Sequence, residues 1–117
     1  MNSDVNISGT SLVYKIKGEL DDHMAVKSRE RIDDILLRRE IKNIIFDFTE
    51  LTMMDSAGIG LIIGRYRIIK DRGGEVLLVI GNSPAKKILR MSGLMKIFKA
   101  YDNLDAALTA VEHRVYG

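Results

Sequence analysis

Apolar and polar residues alternate from Val5 to Lys17, V-N-I and then S-L-V-Y-K-I-K, on either side of Gly9, Thr10 and Ser11. A period of two broken by turn residues predicts a β-hairpin with one buried face. Beyond Met24 the period changes: Ala25, Ile32, Ile35 and Leu36 recur at helical spacing with charges between them, so an amphipathic helix is expected over Met24–Glu40. Asn43 to Phe48 is a short apolar run that fits a strand buried on both faces. From Ala57 to about Arg72 the residues Ile59, Ile62, Ile63, Tyr66 and Ile69 form a stripe suited to the same sheet. Gly73 and Gly74 end that helix, and Glu75–Gly81 reads as another buried strand. Pro84 opens a short helix that Gly93 stops, Ile97–Tyr101 reads as the last strand, and Leu104–Arg114 as a final helix facing inward through Leu104, Ala107, Leu108 and Val111. A hairpin followed by strand-helix alternation predicts one α/β domain over residues 1–117, a mixed sheet of about five strands packed by about four helices.

Polar residues that break these patterns are the candidates for chemistry. G-E-L-D-D-H, Gly18 to His23, reads as a turn that gathers Glu19, Asp21 and Asp22 beside a histidine. It either caps the next helix through Asp21 or Asp22 or forms an acid/base or metal cluster. Asp47 interrupts a buried strand and is expected near its C-terminal edge, bonded to backbone N–H groups of the following loop and close to Ser56. T-E-L-T-M-M-D-S reads as that loop. Ser56 stands between Asp55 and the glycines Gly58 and Gly60 at the start of a helix, where a serine is a preferred N-cap. The same hydroxyl can carry a phosphoryl group, which adds roughly 1.5 to 2 negative charges at a helix end that tolerates anions. Gly60 and Gly64 lie opposite the apolar stripe with Arg67 and Asp71. Each costs a helix up to roughly 1 kcal/mol relative to alanine. Either another backbone approaches them, or they pack tightly on the protein's own sheet.

Composition narrows the function classes. Eighteen basic and 16 acidic residues give a net charge of +2, and the two signs are interleaved, so no nucleic-acid partner is implied. The absence of cysteine removes thiolate metal sites and a cysteine nucleophile. The only histidines, His23 and His113, lie near opposite ends of the chain, so no metal site is expected. No apolar run approaches the roughly 20 residues of a membrane span. A cytoplasmic, monomeric protein without a cofactor is expected.

Catalytic motifs fit poorly. A dinucleotide fingerprint starting at Gly58 and Gly60 needs a third glycine where Ile63 stands. No lysine followed by serine or threonine completes a P-loop, and a nucleophile elbow around Ser56 needs a glycine where Met54 stands. A phosphoreceiver could use Asp47, but receivers carry an acidic pair after the first strand, where this chain has Ser8 and Gly9. A passive protein-binding module is the other alternative, and no enzyme is expected.

The stretch I-I-F-D-F-T-E-L-T-M-M-D-S-A-G-I-G-L-I-I-G-R-Y, Ile44 to Tyr66, resembles the core motif of the STAS family, shared by anti-sigma factor antagonists and sulfate transporters. G-E-L-D from Gly18, G-G-E from Gly73 and S-P-A-K-K-I-L-R-M-S-G-L from Ser83 extend the resemblance over nearly the whole chain, closest to the bacterial antagonists. The resemblance implies a STAS-like fold and a non-enzymatic protein that sequesters an anti-sigma factor and so frees a sporulation sigma factor. It places Ser56 at the family's phosphoacceptor position, with the anti-sigma factor as ATP-dependent serine kinase and a phosphatase reversing the mark. It matches Glu19 and Asp21 to the acidic loop near the partner, and Asp47 and Asp55 to acids flanking the acceptor. Ala57, Gly58, Ile59, Gly60 and Gly64 complete the expected partner-binding surface. Ala57 replaces a second serine found in close relatives, which leaves Thr52 as the nearest competing hydroxyl.

Overall fold

The computed structural model describes residues 2–116, with side chains as far as residue 112. Strands β1 (Ser3–Ser8) and β2 (Ser11–Ile16) form the expected hairpin, turning at Gly9, whose φ of 60° suits glycine. Then follow β3 (Gly18–Leu20), α1 (Asp22–Arg38), β4 (Asn43–Asp47), β5 (Leu51–Met54), α2 (Ser56–Asp71) and β6 (Val76–Val79). The chain ends in α3 (Lys86–Met91), α4 (Leu94–Ile97), β7 (Ala100–Tyr101) and α5 (Leu104–Tyr116).

A mixed sheet of five strands, ordered β1-β2-β4-β6-β7, matches the expectation; only the β1–β2 pair is antiparallel. β2 lies inside that sheet and is covered on both faces, so the expectation of a hairpin with one buried face fails for this strand. Leu12, Tyr14 and Ile16 pack with Ile44, Phe46 and Leu78 against α1 and α2, through Ile32, Leu36, Leu61, Ile62 and Ile69. Val13, Ile45, Leu77 and Val79 face the other way, onto Ala107 and Val111 of α5. The strand period of two delivers both layers from the same strands. Across the larger layer the Tyr14 hydroxyl donates to Ser28 Oγ at 2.9 Å, giving two buried polar groups a partner.

Helix ends are fastened by side chains. The Arg72 guanidinium donates to the carbonyls of Leu36 (3.0 Å) and Ile41 (3.2 Å), which satisfies acceptors at and beyond the C-terminal turn of α1. Asn43 Oδ1 accepts from the Glu75 N–H at 2.9 Å, and Asn43 Nδ2 donates to Ser11 Oγ at 3.3 Å, which ties the starts of β2, β4 and β6 together.

Three expectations are corrected. Gly18–Leu20 is a strand instead of a turn, and Leu51–Met54 a strand instead of a loop; the two pair in parallel as a separate small sheet. Ile97 and Phe98 are not in a strand. Ser92 Oγ accepts from the Leu94 N–H at 3.2 Å and Gly93 takes φ 83°, which starts α4 over Leu94–Ile97 and shortens β7 to two residues. The described residues therefore hold five helices, where about four were expected, and two strands beyond the main sheet.

Gly74 is fixed by contact. A Cβ there would fall on the Lys42 carbonyl, a backbone atom that cannot rotate away. Gly74→Ala is expected to lower the unfolding free energy by about 3 kcal/mol, as overpacking against backbone does, read from the urea midpoint.

Candidate functional site

The small β3–β5 sheet positions the site. Its parallel register sets Glu19 opposite Met53 and Leu20 opposite Met54, and the Asp55 N–H donates to the Leu20 carbonyl at 3.3 Å. Both strands lead directly into helices, so α1 and α2 begin side by side. Asp21 caps α1, accepting from the Met24 N–H at 2.9 Å, and Asp22 already lies in the first turn. Asp55 caps α2, accepting from the Ala57 N–H at 2.9 Å. The expectation that Ser56 itself is the N-cap is thereby corrected. A carboxylate one residue earlier makes the stronger, charge-assisted bond, and Ser56 becomes the first helical residue, exposed to solvent. Its hydroxyl is left outside the cap.

The glycines of α2 divide into two kinds. Gly58 is buried, and a Cβ there would lie 2.5 Å from Met54 Cγ and 2.9 Å from Leu20 Cγ, so this glycine lets α2 sit down on the small sheet. A Cβ on Gly60 or Gly64 would meet nothing within 4 Å. Packing on the protein's own sheet therefore does not explain these two. They line an open groove of about 390 Å³ between α1 and α2, together with Asp22, Ala25, Arg29 and Arg65. Arg65 Nε lies 3.2 Å from Asp33 Oδ1 across the two helices.

A second depression, about 290 Å³, opens on the other side of Ser56 and is lined by Met54, Ile59, Ile88 and Met91. Met91 is 77% exposed and Ile88 is exposed as well, so the two give this depression an apolar rim. Ile88 and Met91 were missed in the sequence. Their spacing of three on the outer side of a short helix was the available signal, and they reach Ser56 only through the fold.

The structure does not bring every expected residue to the site. Asp47 is buried at the C-terminal end of β4, where its Oδ1 accepts from the Thr49 N–H (3.0 Å) and hydroxyl (2.7 Å). The loop bonding is as expected, but Asp47 lines neither depression. It stands opposite Lys15, whose ammonium forms a 2.6 Å ion pair with Glu50. The hydrogen bond to Glu50 raises the Lys15 pKa above the ordinary lysine value, with burial opposing and Asp47 assisting; the same bond lowers that of Glu50. Glu19, exposed beside Met53, and Asp21, Asp55, Ser56, Ala57 and Ile59 do cluster at the two helix starts. Among the described residues no helix is long and apolar enough to cross a membrane.

With this geometry in place, residues 2–107 match the STAS domain, and the chain belongs to that family. It is 41% identical over 101 residues to the anti-sigma F factor antagonist of Paenibacillus polymyxa, a match covering 86% of each chain. Its fold resembles that of the anti-sigma factor antagonist SpoIIAA in its unphosphorylated form, with a TM-score of 0.82 at 26% identity, over 95% of this chain and 96% of that one. The phosphorylated form of SpoIIAA, a Bacillus cell fate determinant, gives a TM-score of 0.73 at 26% identity, over 93% and 98%.

The two caps are expected to carry stability. Asp21→Ala and Asp55→Ala should each cost about 1 kcal/mol in urea unfolding, while the corresponding asparagine variants keep most of it. An alanine variant as stable as the parent would remove capping from the account of that aspartate.

Proposed function

We propose that the chain is an anti-sigma factor antagonist that works as a cytoplasmic monomer. Its unmodified form binds an anti-sigma factor over the paired helix starts, and phosphorylation of Ser56 ends that binding. The observation that carries the reading is the position of Ser56: first residue of α2, exposed, with the cap already supplied by Asp55. The hydroxyl is free to react without dismantling the helix, and a helix N-terminus accepts the resulting anion. The similarity to an antagonist of an anti-sigma factor supports the partner class.

In the transfer step Ser56 Oγ attacks the γ-phosphorus of ATP held by the anti-sigma factor. The bond from that phosphorus to the bridging oxygen breaks, ADP leaves, and the hydroxyl proton passes to a base on the kinase. The product carries roughly 1.5 to 2 added charges next to Glu19, Asp21 and Asp55. Covering that cluster with a partner then desolvates a dianion among like charges, a cost of several kcal/mol where about 1.4 already loses tenfold in affinity. Bulk at a close contact adds to it. A serine phosphatase restores the binder, and release of a sporulation sigma factor follows whenever the unmodified form holds the anti-sigma factor. The receiver alternative is disfavoured by Asp47, which is 7% exposed and already bonded to Thr49. A passive binder predicts no modification at all.

Incubation with ATP and purified anti-sigma F factor from Paenibacillus polymyxa should place a single phosphoryl group on Ser56, localised by fragment mass spectrometry. Ser56→Ala should bind and never be released, Ser56→Asp should bind at least about tenfold more weakly, and circular dichroism should be unchanged by phosphorylation. Phosphate on Thr52, or none, would remove the switch from Ser56.

Gly60→Ala provides a separate check on the surface. Open space and helix propensity predict a gain in stability of up to about 1 kcal/mol, together with weaker partner binding because a methyl group now stands in the groove. Equal affinity would free Gly60 from the interface.

A further inference from the structure

The groove between α1 and α2 has a charge direction along it. At the end near Ser56 stand Asp22 and the two capping aspartates, and about two helical turns further on stand Arg29 and Arg65. Building on the docking reading above, we propose that Arg29 and Arg65 receive an acidic side chain of the anti-sigma factor and thereby fix which way round that protein lies on the chain.

Three observations support this. Gly60 and Gly64 leave the groove open between its acidic and basic ends, so a partner segment can lie along it. Arg65 is only 11% exposed, yet neither its Nε nor Asp33 Oδ1 gains a hydrogen bond of good geometry from their 3.2 Å approach. Arg65 thus faces Asp33 as a charge without a well-formed hydrogen bond, and its planar fork has donors to offer a carboxylate. Arg29 is exposed on the facing helix and supplies a second cation. The occupant is the anti-sigma factor because Ala57, next to Ser56, lines the same groove, so a protein that covers Ser56 extends onto it. Phosphate on Ser56 then makes the acidic end more negative and leaves the basic end as it was.

Asp33 competes with the incoming carboxylate for Arg65. Removing its charge is therefore expected to tighten binding, a direction that structural damage does not produce. The test is calorimetric titration of the unmodified chain and its variants with Paenibacillus polymyxa anti-sigma F factor and ADP, each variant melting close to the parent. The Paenibacillus antagonist is the positive control. Arg29→Glu should weaken binding about tenfold or more, and Asp33→Asn should strengthen it about threefold, both effects shrinking as salt is raised. An Arg29→Glu variant with the parent's affinity, or an Asp33→Asn variant that binds more weakly, overturns the basic-end contact while leaving the antagonist reading intact. A parent chain that fails to bind where the control binds overturns both. Sedimentation showing self-association of the parent that Arg29→Glu abolishes would assign the groove to a second copy, and the proposal would fall.

Discussion

The parallel pairing of β3 with β5 is the constraint on which the site depends. It is a small interaction, three residues against four, closed by the bond from the Asp55 N–H to the Leu20 carbonyl. Because each strand runs straight into a helix, it decides that α1 and α2 start at one place and point the same way. The positive ends of two helix dipoles then lie together, and each takes a carboxylate, Asp21 or Asp55, as its cap. Gly58 lets α2 close down on Leu20 and Met54, and larger side chains there would pry the helix off the small sheet. The main sheet holds the molecule together, but this minor one arranges what the surface offers.

The centre of the main sheet was legible because β4 and β6 are apolar runs that need cover on both sides. Ile44 to Phe46 and Val76 to Val79 have no other plausible place. β3 and β5 were not legible. Glu19 and Thr52 break any period, and strands of three and four residues exist only through their pairing, which a local pattern cannot express. The α4 error has a similar origin: Ile97, Phe98 and Tyr101 carry β-favouring side chains, and the turn set by Ser92 and Gly93 overrides them. At the cap, Asp55 and Ser56 are both good N-cap types, so residue type placed the helix start to within one position and geometry had to decide between them.

The candidate site was read unevenly for a physical reason. Residues near one another in the chain, such as Asp55, Ser56 and Gly60, were recognisable from a continuous motif. Arg29, Ile88 and Met91 come from other helices and meet the motif only after packing, so even the spacing of Ile88 and Met91 on their own helix does not place them beside Ser56. Asp47 shows the reverse. It lies within the motif, and an acid in an apolar strand invites a functional reading, yet its bonds go to Thr49 in the turn that follows β4, and it lines neither depression.

The Ser56 hydroxyl lies on an ordered helical turn whose neighbours Ile88 and Met91 arrive from a distant part of the chain. On the proposed switch, an enzyme acting on it would meet a preassembled surface beside an apolar depression instead of an extended peptide threaded through a cleft. What such an enzyme reads is a shape composed of several segments, and no short run of residues spells it. On the proposed switch, that address exists only once folding is complete, and a nascent or partly unfolded copy would present nothing to mark.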